Sequence, residues 1–90
     1  MAGFIVTWDV DSRDPAQCAR VRRFVYGQTL RQVRKVYRYA GFVDRPGVLY
    51  LGQSVLFVPG ALLEDLQGFL KSTAVAHLTT HARLGARVEA

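Results

Sequence analysis

The chain has 90 residues, half of them apolar, and a formal net charge of +5. This composition is typical of one globular domain with a basic surface and excludes a disordered chain. No apolar run approaches the ~20 residues of a membrane span, and the single cysteine, Cys18, excludes an internal disulfide and favours a reducing, cytoplasmic location.

The first predicted element is a strand over residues 3–10, which are rich in β-branched and aromatic side chains. One set of alternate residues is apolar throughout, whereas the other becomes polar at Asp9 and Asp11. We therefore expect the first set to face helices and the second to lie on an open face of a sheet.

A helix is predicted to begin at Pro15, because Asp14 is a good N-cap and proline suits the first helical position. Gln17 stands where a glutamine can complete a capping box, and Gly27 is a typical helix terminator. The predicted helix buries an apolar stripe that includes Cys18, Val21 and Val25.

Two further strands are predicted, over residues 33–43 and 48–58, and we expect them to form a long hairpin. Arg45, Pro46 and Gly47 between them predict a type II turn. Gly52 is predicted to interrupt the second of these strands at a bulge.

A second helix is predicted to start at Pro59 and Gly60, and residues 74–84 predict a last strand. The order strand, helix, strand, strand, helix, strand predicts an α+β, ferredoxin-like βαββαβ fold. Such a fold has a four-stranded antiparallel sheet with two helices on one face. We expect one domain over residues 1–84, a C-terminal tail over 85–90, and the last strand antiparallel beside the first.

Basic residues are concentrated in the segment from Arg13 to Arg45, where nine cations accompany two acids. Arginine offers a planar fork that suits phosphate, so this segment predicts a face that binds a polyanion, with nucleic acid as the first candidate. The alternative is a solubilising surface. The candidate phosphate-binding residues are Arg13, Arg20, Arg22, Arg23, Arg34 and Arg38.

Tyr37 and Tyr39 interleave with these cations, and aromatic side chains among cations can stack bases. The alternative is ordinary packing between neighbouring strands.

Asp9 and Asp11 are spaced i, i+2 at the end of the first strand, so both carboxylates are predicted on one side. Mg²⁺ and Mn²⁺ prefer such oxygen ligands, and a symmetric dimer meeting here would double their number. The alternative is that Asp9 ends the strand while Asp11 and Asp14 make turn or cap bonds. His77 and His81, four residues apart on a strand, are about 13 Å from each other and cannot share one ion, although His77 could assist at Asp9.

Several stretches together carry a family resemblance. Residues 6–10 form a strand ending in Trp-Asp-Val, residues 11–14 a polar turn, and residues 20–27 a basic helix ending in Tyr-Gly. The next strand of the pattern has two candidates, residues 34–37, which read Arg-Lys-Val-Tyr, and residues 53–57, which read Gln-Ser-Val-Leu-Phe and match better in type. This pattern resembles the small CRISPR-associated adaptation nuclease family, the dimeric partner of the spacer integrase. A longer segment before Gln53 and the absence of a Val-Phe-Glu ending correspond to a divergent member.

The resemblance implies a homodimer, metal binding by Asp9 at its interface, contacts from basic residues to the backbone of duplex DNA, and an integrase-type protein partner. The first hypothesis is accordingly a dimeric nucleic-acid-binding protein, with duplex DNA favoured over RNA. It has a candidate Mg²⁺- or Mn²⁺-dependent endonuclease site, with Asp9 catalytic and with Asp9 and Asp11 as metal ligands.

Two other hypotheses stay open. One is a non-catalytic or architectural module that binds single strands on the open sheet face through Tyr37 and Tyr39. The other is a protein-interaction domain without affinity for nucleic acid, since ferredoxin-like folds host many functions.

Overall fold

A computed structural model describes residues 2–85 of the chain. The elements in that range are β1 (Ala2–Asp9), α1 (Pro15–Tyr26), β2 (Gln28–Gln32), β3 (Lys35–Tyr39), β4 (Leu49–Gly52), β5 (Val55–Pro59), α2 (Gly60–Ser72) and β6 (Ala76–Arg83). A single turn of 3-10 helix, Phe42–Asp44, lies between β3 and β4. Neither helix within this range has the length and apolar character needed to cross a membrane. Of the predicted tail, 85–90, only Gly85 belongs to the described residues.

Four of the strands form an antiparallel sheet in the order β4-β5-β1-β6, so that β5 and β1 are central. β6 pairs with β1 along its whole length, from Ala2 opposite Arg83 to Asp9 opposite Ala76. The predicted α+β class, the four-stranded antiparallel sheet and the position of the last strand beside the first are confirmed.

The hydrophobic core lies between the two helices and one face of this sheet. Its buried members include Val6, Trp8, Val21, Val25, Leu66 and Leu70. Both helices therefore pack on the side that carries the apolar alternate residues of β1, as the sequence predicts. The opposite side carries no helix in the described part of the chain and exposes Leu78.

The predicted strand over residues 33–43 is wrong. The chain reverses at Val33 and Arg34, and β2 and β3 pair with each other as a separate two-stranded sheet. A two-residue reversal usually carries glycine, asparagine or aspartate. Here it carries none of them, and β-forming side chains continue on both sides of the turn.

The predicted single strand over residues 48–58 is also wrong, because Gln53 and Ser54 form a turn that divides it into β4 and β5. Ser54 adopts a left-handed φ of 62°. β4 and β5 pair with each other, so the predicted long hairpin does not form. A register shift does lie between Tyr50 and Gly52, where the sequence predicts a bulge.

The boundaries marked by capping residues agree with the sequence. Asp14 caps α1, since its carboxylate accepts a hydrogen bond from the backbone N–H of Gln17, and Gly27 follows the last helical residue. The predicted turn at residues 45–47 is confirmed by a hydrogen bond of 3.2 Å from Val48 N to Arg45 O.

Candidate nucleic-acid interface and carboxylate cavity

The β2–β3 hairpin, residues 28–39 and here termed the arm, projects from the end of α1. Every residue from 29 to 39 is exposed. The radius of gyration is 14.6 Å, against about 12 Å for a compact domain of this length. Because the arm pairs with no strand of the main sheet, it is free to contact another molecule on both of its faces.

The root of the arm is a close contact between two glycines. Gly27 follows α1 with φ +81°, and Gly41 follows the arm. A Cβ on Gly41 would lie 2.5 Å from the carbonyl oxygen of Val25 and closer still to the nitrogen of Gly27. The two chain segments are therefore held against each other by backbone alone, which fixes where the arm leaves the body.

Arg38 adds side-chain bonds at this root. Its Nη1 donates to the Tyr39 carbonyl at 2.6 Å, and its Nη2 lies 3.4 Å from both the Tyr26 carbonyl and Asp44 Oδ2. Asp44 Oδ2 also accepts a hydrogen bond from Gly41 N at 2.7 Å. The predicted phosphate-binding residue Arg38 thus ties the arm to the 3-10 helix.

Of the nine cations from Arg13 to Arg45, three form ion pairs within the described residues. The pairs are Arg13–Asp11 at 3.2 Å, Arg38–Asp44 at 3.4 Å and Arg45–Asp65 at 2.7 Å. The other six have no acidic partner among residues 2–85 and are here termed the basic surface: Arg20, Arg22, Arg23, Arg31, Arg34 and Lys35. All six are exposed.

The basic surface follows α1 and continues to the tip of the arm. Three of its members are exposed residues of α1, and Arg34 lies in the turn at the tip. The sequence does not single out Arg31 and Lys35 as phosphate-binding residues, although their charge belongs to the same segment. The missing information was the reversal at the tip, which brings Arg31 and Lys35 onto neighbouring strands.

Tyr37 and Tyr39 lie on β3 and are partly exposed. Their predicted place on the open face of the four-stranded sheet is wrong, because β3 does not belong to that sheet. Both tyrosines lie on one face of the arm, opposite Leu30 and Gln28 of β2.

A polar, open cavity of about 540 Å³ lies at the end of β1 and is lined by Asp9, Asp11 and Asp14. Asp11 Oδ1 accepts hydrogen bonds from the backbone N–H of Arg13 at 2.9 Å and from its Nε at 3.2 Å. The backbone bond has the larger effect and the side-chain bond the smaller, and both hold the pKa of the Asp11 carboxyl below its ordinary value. Asp14 Oδ1 caps α1.

The turn and cap roles that were the alternative for Asp11 and Asp14 are therefore confirmed. Among the described residues, the Asp9 carboxylate accepts no hydrogen bond and forms no ion pair. No group of three or more histidine, cysteine or acidic side chains within residues 2–85 is arranged to hold a metal. The carboxylates have the chemistry that Mg²⁺ prefers, but one chain contributes too few of them.

Asp9 and His77 both line a second, smaller cavity of about 260 Å³, but no hydrogen bond joins their side chains among the described residues. His77 lies opposite Trp8 in the register of β6 against β1, and hence on the face that packs against the helices, whereas Asp9 lies on the other face. The His77 ring nitrogen Nδ1 lies 2.9 Å from the Val75 carbonyl. His81 packs edge-on against the Phe4 ring, with 5.2 Å between centroids.

Gln17 lines the cavity and binds the loop that carries Asp11. The sequence predicts it only as a capping residue. Its Oε1 accepts a hydrogen bond from Asp11 N at 2.9 Å, and its Nε2 donates to the Thr73 carbonyl at 3.0 Å. Gln17 is a buried polar residue and joins the start of α1 to the end of α2. No sequence pattern indicates this role, because Thr73 is 56 residues away in the chain.

We expect Gln17→Ala to lower the free energy of unfolding by about 1–3 kcal/mol, because a buried donor and acceptor lose their partners. Denaturant-induced unfolding measures this change. Gln53→Ala, at an exposed glutamine in the turn after β4, is the control, and an equal loss in both variants would contradict the structural role of Gln17.

The arm and the cavity lie at opposite ends of α1. Asp14 caps the first turn of this helix and lines the cavity, whereas Gly27 follows its last turn and begins the arm. The 12 residues of α1 span about 18 Å at 1.5 Å per residue. A single chain therefore does not bring Arg34, Tyr37 and Tyr39 close to Asp9.

Comparison of the chain with models of known protein families, with curated proteins and with solved structures finds no match.

Proposed function

We propose that this chain binds nucleic acid through the basic surface. The observation that carries the proposal is a run of six cations along α1 and the arm that have no acidic partner within residues 2–85. They lie in a stretch, residues 15–43, whose sequence contains no aspartate or glutamate. Exposed cations without acidic partners attract a polyanion. When they bind its phosphates, they displace the counterions condensed there.

We further propose that the chain forms a homodimer and has an integrase-type protein partner. Duplex DNA is the favoured ligand, with RNA as the alternative. The proposed fold is ferredoxin-like, with the arm as an insertion between α1 and β4. What supports this description is the sheet order, since β1, β4, β5 and β6 then take the places of the four βαββαβ strands.

The salt dependence of binding tests the proposal. If all six cations contact phosphates, the affinity for a 20-base-pair duplex should fall with a log–log salt slope of about −5. The double variant Arg20→Ala/Arg23→Ala should make the slope shallower by about 2, because two phosphate contacts are lost. Fluorescence anisotropy at several salt concentrations measures both values.

Lys71→Ala/Arg83→Ala is the matched control, because it removes the same charge from α2 and β6. Its slope should equal that of the unaltered protein. A salt-independent affinity, or equal changes in the two double variants, would contradict a role for the basic surface.

A second candidate function is metal-dependent phosphodiester cleavage at the cavity. The observation that favours it is the Asp9 carboxylate, which faces an open cavity and has no hydrogen-bond partner among the described residues. Asp9 would hold a Mg²⁺ or Mn²⁺ ion, assisted by Asp11, and a second copy of the chain would supply the remaining ligands. A bound divalent ion lowers the pKa of a water and polarises the phosphate.

We expect Asp9→Asn to abolish Mn²⁺-dependent cleavage of labelled duplex DNA without weakening binding, because the amide keeps the shape but loses the charge. A gel assay with Mn²⁺ or EDTA measures cleavage and binding together. Asp65→Asn, in an exposed ion pair on α2, is the control. Cleavage that persists in Asp9→Asn would remove this residue from the mechanism.

A further inference from the structure

The dimensions of the arm match one groove of duplex DNA. The major groove of B-DNA is about 12 Å wide and 8.5 Å deep, and it admits a two-stranded antiparallel ribbon. Each strand of the arm has five residues, which corresponds to about 16 Å at 3.3 Å per residue. The tip can therefore reach the groove floor before the body of the protein meets the phosphates.

Charge is distributed unevenly along the arm. The outer part, residues 31–36, carries Arg31, Arg34 and Lys35, none of which has an acidic partner in the described chain. The fourth cation, Arg38, is bonded at the root. An element inserted into the major groove has a phosphate backbone on each side of its outer part, where these three cations lie.

The side chains at the tip suit base edges better than solvent. Val33 is fully exposed in the turn, and Val36 exposes 65% of its surface. Thymine presents a methyl group in the major groove that accepts apolar contacts, and glutamine pairs with adenine there, as Gln32 could.

Other nucleic acids fit the arm less well. Stacking of single-stranded bases would use Tyr37 and Tyr39, but Tyr39 pairs with Gln28 at the root, away from the cations of residues 31–36. The major groove of duplex RNA is too narrow and deep for side chains to read.

We propose that the arm enters the major groove of duplex DNA, with residues 31–36 between the two phosphate backbones. This proposal rests on the proposed nucleic-acid binding and narrows it to one ligand and one groove. The contact between Gly27 and Gly41 presents the arm in one direction before binding, so little order must be gained on insertion.

The test compares two duplexes of one sequence. In the first, all bases are unmodified. In the second, every cytosine is glucosylated 5-hydroxymethylcytosine, which fills the major groove and leaves the phosphates unchanged. We expect the unaltered protein to bind the glucosylated duplex about tenfold more weakly, since the arm loses its groove contacts.

A shortened arm isolates the contribution of the groove. Replacing residues 31–36 by Asn-Gly joins Leu30 to Tyr37 through a favoured two-residue turn and removes three cations. The matched control is Arg20→Ala/Arg22→Ala/Arg23→Ala, which removes three cations from α1. The control should bind both duplexes more weakly and keep the tenfold ratio, whereas the shortened arm should bind both about equally.

Each other outcome has a defined meaning. Equal binding of the two duplexes by the unaltered protein would overturn groove insertion and leave nucleic-acid binding standing. A tenfold ratio that survives shortening of the arm would place the groove contact elsewhere and overturn the proposal. Tighter binding of single strands or of duplex RNA would also overturn it. Failure to bind any of these nucleic acids at low salt would overturn the proposed function as well.

Discussion

Gly41→Ala is expected to lower the free energy of unfolding by about 3 kcal/mol or more, because the added Cβ overlaps backbone atoms that cannot move aside without shifting the helix. A Cβ at this position meets backbone atoms from Val25 to Gly27, not the movable end of a side chain. Relief requires α1 and the root of the arm to move apart, which also disturbs the bonds of Arg38 and Asp44. Denaturant-induced unfolding measures the loss.

The chain offers a matched control for this substitution. Gly68 lies inside α2, and a Cβ there would meet nothing within 4 Å. Gly68→Ala should therefore raise the free energy of unfolding by about 0.5–1 kcal/mol, since alanine has the higher helix propensity. The same chemical change is thus expected to have opposite signs at the two positions, and a Gly41→Ala protein as stable as the unaltered one would refute the close contact at the root.

Phe42→Ala is expected to cost about 3–5 kcal/mol, the range for removing a fully buried aromatic ring. The Phe42 ring is 1% exposed and lies 5.7 Å from the Phe24 ring, which stacks on Phe69 at 3.9 Å between centroids. This stack joins the 3-10 helix after the arm to both α1 and α2. Phe42→Ala should therefore destabilise the whole domain. It should also loosen the attachment of the arm, because the 3-10 helix loses its packing against the two helices.

Thermal or denaturant unfolding of Phe42→Ala, beside Leu78→Ala as the control, measures this effect. Leu78 exposes 74% of its surface on the side of the sheet without helices, so its truncation should change stability by no more than about 0.5 kcal/mol. Similar losses in the two variants would mean that Phe42 does not anchor the arm in the core.

The parts of the fold that the sequence predicts well are those with local chemical signals. Asp14 and Pro15 mark the start of α1, and Gly27 marks its end, because capping depends on residues adjacent in the chain. The reversal at Val33 and Arg34 lacks the usual turn residues, and the one at Gln53 and Ser54 carries only the weaker signal of serine after Gly52. Where the period of two continues through a turn, the pattern alone does not distinguish one long strand from two short ones.

The candidate site also divides into features with a local sequence signal and features that depend on tertiary packing. The excess of arginine was visible in composition, and so was the possibility that Asp11 and Asp14 make local bonds. The pairing of Arg45 with Asp65, 20 residues apart, and the contact of Gln17 with Thr73 depend on how the helices pack. Which cations remain unpaired is therefore a property of the tertiary structure and not of any sequence window.

The arm and the Asp9 cavity carry charges of opposite sign at the two ends of α1. One end carries Arg31, Arg34 and Lys35, and the other carries the carboxylates of Asp9 and Asp14. In the field of a polyanion such a molecule experiences a torque that turns its positive end forward before contact. Encounters then begin arm-first, and added salt should slow productive association by randomising the approach as well as by weakening the attraction.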